Sequence, residues 1–105
     1  MSPYADHDAL ARARLSVLGQ ELETLERGIG LAVAGAALPW PLAEVFIRLA
    51  AAAEVCERLI ADHASGSASL SLKTVGEVAE TLRLVREINT SLVGLALAAP
   101  KPRPI

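Results

Sequence analysis

The chain has 105 residues, a length typical of one domain. Hydrophobic residues make up 52% of it and aromatic residues 3%, with Ala and Leu the most frequent, so helix formers dominate; this excludes a disordered chain and an all-β domain. The formal net charge of −2 gives no overall attraction to nucleic acid. A single cysteine excludes an internal disulfide, and we expect a cytoplasmic protein.

The first predicted helix covers about residues 8–37, with Asp6 or Asp8 as its N-terminal cap. Its leucines recur at alternating spacings of four and three residues, which is the heptad pattern of a coiled-coil seam. Arg12 and Arg14 flank the start of this seam. We expect the seam to contact another subunit through Leu15, Leu18, Leu22 and Leu25.

An uncharged run, Gly28–Ala43, follows the seam. It is shorter than the ~20 residues that a membrane-spanning helix needs and it contains Pro39 and Pro41, so we expect no membrane association. Its glycines weaken the helix, which we expect to continue irregularly to about Ala37. The two prolines predict a turn.

The second predicted helix covers about residues 41–63, and the third covers about residues 72–98. The third starts at Ser71 or at Thr74, and Thr74 and Glu77 match a capping box. Two apolar seams run along this third helix, so we expect the helix to pack against two neighbours. We expect a subunit contact at Leu84, Ile88, Asn89 and Leu92. The polar Asn89 either fixes the register of that contact or lies half in water at its rim.

These elements predict one all-α domain over residues 1–99, an antiparallel helical hairpin or three-helix protein with coiled-coil-like seams. The apolar stripes of the three helices present more surface than a monomer of this size can bury. We therefore expect a homo-oligomer larger than a dimer. Residues 100–105 have Pro at every second position, which predicts an extended tail. We expect this tail to bind a partner through Lys101, Pro102, Arg103 and Ile105.

Two groups of residues raise the question of catalysis or metal binding. Arg58 and His63 match the Arg-x4-His spacing of the HEPN ribonucleases, where the two side chains act on a scissile phosphate. The simpler interpretation is a solvated arginine and a histidine that complements the helix C-terminus. His7 and His63 are far apart and Cys56 lies on an apolar face. We therefore expect no metal site, no cofactor and no enzymatic activity.

The third predicted helix begins with a leucine and a lysine, is rich in Ala, Leu, Arg and Glu, and ends near Gly-Leu. The residues concerned are Leu72-Lys73-Thr74, Glu77, Ala79, Leu82, Arg86, Glu87, Ile88 and Leu92-Val93-Gly94-Leu95. This pattern, about a quarter of the chain, resembles the oligomerisation segment of the small terminase subunits of tailed phages.

The resemblance implies a non-enzymatic ring that binds viral DNA and delivers it to the large terminase, an ATPase and nuclease. Because no helix-turn-helix domain precedes the hairpin, we expect weak binding of double-stranded DNA without sequence preference, through Arg12 and Arg14. Such a compact form suits a gene transfer agent, a phage-like particle that packages host DNA. The tail then engages the large terminase. The alternative is a small helical protein-interaction module, such as an antitoxin, a chaperone or a regulator.

Overall fold

A computed structural model describes the backbone of residues 3–98 and the side chains of residues 7–98. Over this part of the chain the protein is all-α and has no strand, which confirms the predicted class. The three helices are α1 (Pro3–Val33), α2 (Leu42–Ser65) and α3 (Leu72–Ala98). The predicted partner-binding tail lies outside the described residues, including its four named residues Lys101, Pro102, Arg103 and Ile105.

α1 ends at Val33, earlier than the predicted end near residue 37, because Gly35 stops it. Gly35 has a φ of 111°, and its N–H donates to the carbonyl of Ala32 at 3.1 Å. The N–H of Ala36 donates to the carbonyl of Leu31 at 3.0 Å. These two bonds form a Schellman motif, which satisfies carbonyls of the last helical turn and needs the left-handed backbone that glycine adopts without strain.

The start of α3 is held by a hydrogen bond to a side chain of α1 as well as by its own N-cap residue. α1 starts before both of its predicted caps, Asp6 and Asp8. The carboxylate of Asp8 instead accepts the N–H of Ser71 at 2.8 Å, and the hydroxyl of Ser71 accepts the N–H of Thr74 at 3.2 Å. Ser71 is therefore the N-cap of α3, and Thr74 is its third residue. Of the two predicted starts, the structure has Ser71. The capping box predicted at Thr74 and Glu77 is wrong, since Thr74 lies inside α3, donates its N–H to Ser71 and is buried.

α3 packs against both other helices, whereas α1 and α2 approach each other less closely. The chain reverses direction twice, so α1 and α3 run parallel and α2 runs antiparallel to both. All three helices contribute to the main core, which contains Leu22, Leu25, Ile29, Val45, Leu49, Ala52, Val85, Ile88 and Leu92. A second cluster, nearer the start of α1, contains Leu15, Cys56 and Val78. The two seams predicted for α3 thus serve its two neighbours.

The turn between α1 and α2 is fastened to α1 by an indole ring. Trp40 is half-buried and packs against the main core. A Cβ placed on Gly28 would lie 2.6 Å from Cη2 of Trp40 and closer still to Cζ3. The absence of a side chain at Gly28 therefore lets the ring lie against the helix backbone, which fixes where α2 begins.

Candidate assembly surfaces

The heptad seams predicted as subunit contacts meet one another inside a single chain. Five of the eight residues assigned to that contact are buried in the protomer, namely Leu15, Leu22, Leu25, Ile88 and Leu92. Leu18 and Leu84 are half-buried and pack against the same clusters. The structure thus uses the apolar surface of these side chains within one bundle, because α1, α2 and α3 cover each other's seams.

Asn89 is exposed rather than set into a seam. The neighbouring Ile88 takes the buried position of α3, between Val85 and Leu92. Asn89 lies at the margin of a groove between α2 and α3, beside Phe46. Of the two interpretations open for Asn89, the structure of the protomer places it at a rim.

A groove runs between α1 and α2 because those two helices stand apart. It has a volume of about 440 Å³ and is lined by Leu10, Ala13, Arg14, Val17, Leu18 and Val55. Leu10 and Val17 are 62% and 65% exposed. Their separation of seven residues places them on one face of α1. We call this feature the α1–α2 groove; it is an apolar strip with one cation, Arg14, at its margin.

A second feature is the end of the bundle where α1 and α3 finish and α2 starts, at which the residues that the structure describes carry no charge. Residues 28–43 and 88–98 both converge there and include no Asp, Glu, Lys or Arg. We call this region the neutral end. Five large apolar side chains are exposed on it: Leu31, Val33, Leu42, Val93 and Leu97.

A shallow groove of about 430 Å³ opens in the neutral end. The described residues that line it are all alanine or leucine: Ala32, Ala36, Leu38, Leu42, Leu95, Ala96 and Ala98. The last turns of α1 and α3 contain no basic residue, although cations are the side chains that helix C-termini favour. The neutral end is therefore apolar even at positions where a charge would stabilise its helices.

The two arginines predicted to contact DNA face different grooves. Residues two apart on a helix point about 200° apart around its axis. Arg12 accordingly lines a groove between α1 and α3 with Glu77 and Glu80, whereas Arg14 lines the α1–α2 groove. The structure does not bring Arg12 and Arg14 into one basic patch, and it sets Arg12 among carboxylates.

Three cations of α2 and α3, namely Arg48, Arg58 and Arg83, pair with carboxylates on the same helix, whereas no ion pair among the described residues includes Lys73 or Arg86. Arg83 pairs with both Glu80 and Glu87, and this guanidinium, by hydrogen bonding and by charge, lowers the pKa of Glu80. Arg48 pairs with Glu44 at 2.6 Å. Such exposed pairs contribute little to stability, but each engages a guanidinium that would otherwise attract phosphate.

The Arg58 and His63 pair has a structural explanation. Nδ1 of His63 accepts the N–H of Leu70 at 3.1 Å and so holds the linker that leads to α3. Arg58 is exposed and its guanidinium lies 3.8 Å from the carboxylate of Glu54. Side chains five residues apart point about 140° apart on a helix, so within one protomer Arg58 and His63 face different directions.

Two further titratable groups have environments that shift their pKa. The N–H of Ser71 and the hydroxyl of Thr74 lower the pKa of Asp8 by hydrogen bonding to its carboxylate. Burial, with a smaller effect from the charge of Glu57, raises the pKa of the Cys56 thiol. Asp8 therefore favours its ionised form and Cys56 its neutral form.

Periodicity alone could have located the exposed groups that the seam interpretation missed. Leu10, Val17 and Leu31 repeat at multiples of seven along α1, on a stripe beside the buried one. The last residues of α3 and the turn before α2 both lack charged side chains. This shared lack of charge is the sequence signal for the neutral end.

Comparison of the chain with protein-family models, with curated proteins and with solved structures finds no match. Over residues 3–98, every helix is too short or too polar to cross a membrane. Among the side chains that the structure describes, no three His, Cys, Asp or Glu groups gather closely enough to hold a metal ion. The α1–α2 groove and the neutral end are the features of the molecule that point to a function.

Proposed function

We propose that the protein is a DNA-packaging adaptor that assembles into a ring and links double-stranded DNA to a large terminase. The observation that carries this proposal is the α1–α2 groove, where a folded protomer leaves Leu10 and Val17 exposed along one face. Contiguous exposed apolar surface is typical of protein–protein interfaces. The resemblance of α3 to the oligomerisation segment of small terminases supports this class of assembly over others.

A ring requires two different surfaces on each protomer, one that receives and one that inserts. The α1–α2 groove is suited to receive an apolar helix face. On the far side of α2, Ile47 is exposed, and it lies about 200° around the helix from the buried Val45. We assign Ile47 to the inserting surface, so that each protomer places its α2 against the groove of the next.

Contact with DNA follows from the position of Arg14 in such a ring. Within the part of the chain that the structure describes, no carboxylate lies within 4.0 Å of its guanidinium. Assembly repeats this cation once per subunit. Arg12 also has no carboxylate within 4.0 Å among the described residues, but it shares its groove with Glu77 and Glu80, which makes that groove less attractive to phosphate. Few phosphate contacts and a negative net charge imply weak binding that falls steeply with salt and has no sequence preference.

Contact with the large terminase is assigned to the tail, residues 100–105. Its prolines restrict the unbound chain, so that docking into a partner groove costs less ordering entropy than docking a flexible tail. Lys101 and Arg103 offer charge and Ile105 offers an apolar end. A chain that stops at residue 99 should keep its oligomeric mass and lose capture of the large terminase.

Light scattering at micromolar concentration tests the assembly. We expect the wild-type mass to exceed that of a dimer. We expect Val17→Asp to reduce the mass, because a carboxylate placed in the apolar strip must lose its water when the contact forms, even with Arg14 three residues away. Leu72→Asp is the matched control, since Leu72 is also exposed but lies at the start of α3, away from the groove. A wild-type mass of 11.0 kDa, that of one chain, would contradict the proposal.

Gel shifts at two salt concentrations test the DNA contact. We expect Arg14→Gln to weaken binding more than Arg12→Gln, and we expect both effects to vanish at the higher salt. Tight binding of one sequence at the higher salt would contradict the proposed mode of DNA contact.

The second candidate function is a small helical interaction module, such as an antitoxin, a chaperone or a regulator. The open α1–α2 groove also favours this function, because it has the form that accepts an amphipathic helix of another protein. A monomeric wild-type protein that binds neither DNA nor a large terminase, but whose partner is lost on Val17→Asp, would establish it.

A further inference from the structure

We propose that the tail, residues 100–105, docks on its own protomer, in an acidic groove between α1 and α3. The groove has a volume of about 330 Å³ and is lined by Glu26, Ile29, Gly30, Val33, Glu87, Ile88 and Ser91. We call it the Glu26 groove. The inference goes beyond the proposed function, because it gives the tail a place on its own chain whether or not a large terminase also binds it.

The Glu26 groove has a carboxylate on each of its walls. Glu26 lies on α1 and Glu87 lies on α3, and no basic residue is among the described residues that line the groove. Within the described part of the chain, Glu26 takes part in no ion pair, and Glu87 pairs with Arg83 through one of its two oxygens. The groove therefore has free acceptor capacity for a ligand that carries two cations.

The floor of the Glu26 groove suits proline. Ile29 and Ile88 are buried at its base, and Gly30 adds no side chain above them. Proline offers an apolar ring and has no N–H that would need an acceptor from the floor. The tail has proline at every second position, with Lys101 and Arg103 between the prolines. Its rings thus match the apolar floor, and its cations match the carboxylates of the walls.

The tail begins close enough to reach these carboxylates. It follows Ala98, the last residue of α3. Glu87 lies eleven residues before Ala98, which is about 16 Å back along the helix axis. An extended proline-rich chain covers about 15 Å over the five residues from Ala98 to Arg103. A tail that turns back along α3 therefore brings Arg103 towards Glu87, and its long side chain makes up the length that the turn consumes.

The covalent tether makes a weak contact sufficient. Exposed ion pairs contribute little individually, so a separate peptide with the sequence of the tail would dissociate readily. On its own chain the tail is held at an effective concentration in the millimolar range, at which two such pairs populate the docked form. A partner that binds the tail must then displace it from the Glu26 groove.

Crosslinking with a water-soluble carbodiimide tests the docking, because this reagent joins a lysine amine to a carboxylate only when the two are in contact. The chain has two lysines, Lys73 and Lys101, and peptide mass spectrometry identifies the carboxylate joined to each. We expect Lys101 to join Glu26 or Glu87 in preference to every other carboxylate. Lys73 is the internal control, since Glu77 lies four residues further along α3 and their crosslink does not involve the tail.

Arg103→Gln removes one cation of the tail and leaves both crosslinking partners of Lys101 in place. We expect it to lower the crosslinks of Lys101 to Glu26 and Glu87 about threefold, the effect of losing one exposed ion pair. The crosslink between Lys73 and Glu77 should not change. Arg58→Gln is the matched control, because Arg58 is exposed on α2, outside the groove; it should alter neither crosslink.

Refolding an equal mixture of unlabelled and nitrogen-15-labelled chains before crosslinking distinguishes docking on the same chain from docking on a second copy. Docking on the same chain joins only peptides that carry the same label. Crosslinks of Lys101 between labels would overturn the inference in favour of a contact between subunits. Crosslinks spread evenly over the exposed carboxylates, or unaffected by Arg103→Gln, would overturn it as well. The experiment contains neither DNA nor a large terminase, so its failure would leave the proposed function intact.

Discussion

Substitution of Gly28 by alanine tests whether the Trp40 ring holds the turn against α1. A Cβ at Gly28 would lie 2.6 Å from Cη2 of the ring and 3.5 Å from Cδ of Pro39. An unstrained carbon–carbon contact is about 3.5–4.0 Å, so the ring must retreat by about 1 Å. Pro39 directly precedes Trp40 in the sequence. Because the φ of a proline is fixed, Pro39 restricts the backbone movement that would let the ring retreat.

The expected magnitude follows from two opposing effects. Forcing a methyl group into a filled site costs about 1–3 kcal/mol, while Gly→Ala inside a helix gains about 1 kcal/mol. Gly28→Ala should therefore destabilise the protein by about 1 kcal/mol. Gly30→Ala is the matched control, because Gly30 lies in the same helix with no heavy atom within 4 Å of its added Cβ; it should stabilise the protein by about 1 kcal/mol.

Thermal and urea unfolding, followed by circular dichroism, measures this difference. A gap of about 2 kcal/mol between the two variants corresponds to roughly 10 °C in Tm for a domain of this size. The chain has one tryptophan, so native fluorescence reports directly on Trp40, and its emission should shift to the red in Gly28→Ala alone. If Gly28→Ala stabilises the protein as much as Gly30→Ala does, the ring does not rest on Gly28.

Two further predictions concern the titratable groups. Because its hydrogen bonds lower the pKa of Asp8, the stabilisation they provide is complete above its unfolded pKa of about 3.9 and is lost as the pH falls through the lower folded pKa. Asp8→Asn should accordingly lower Tm at pH 7 but not at pH 2; an equal loss at both would show that charge at Asp8 is immaterial. The Cys56 thiol is buried and its pKa is raised, so a thiol reagent at pH 8 should label it only as fast as the protein unfolds. Immediate labelling of the native protein would contradict the packing of Cys56 against Leu15 and Val78.

The spacing of apolar residues was sufficient to predict three helices, since leucine at intervals of three and four has no other common structure. It could not predict which helix covers which seam, because a heptad pattern is the same within a chain and between chains. That is why Leu22 and Leu92, assigned to a subunit contact, lie in the core of one protomer. The α3 stripe also admitted two positions, Ile88 and Asn89, and only the packing of α3 against its neighbours decides between them.

Helix ends were less predictable than helix bodies. Gly35 was visible as a helix breaker, but its role as the residue after a C-cap depends on a φ of 111° that no propensity specifies. The cap of α3 includes Asp8, which is 63 residues away from Ser71 in the sequence. For the candidate site, the exposed stripe through Leu10 and Val17 was present in the sequence, whereas the neutral end required the fold to bring residues 28–43 and 88–98 together.

The central position of α3 bears on the order in which the molecule forms. α1 and α2 have few contacts with each other and depend on α3 for their buried faces, and the bond from Asp8 to Ser71 closes only when the start of α3 returns to the start of α1. α3 leaves the ribosome after α1 and α2, so those two helices emerge with much of their apolar stripes uncovered. Their buried faces are covered once α3 has emerged. Until then, a chaperone or another nascent copy competes for their leucines.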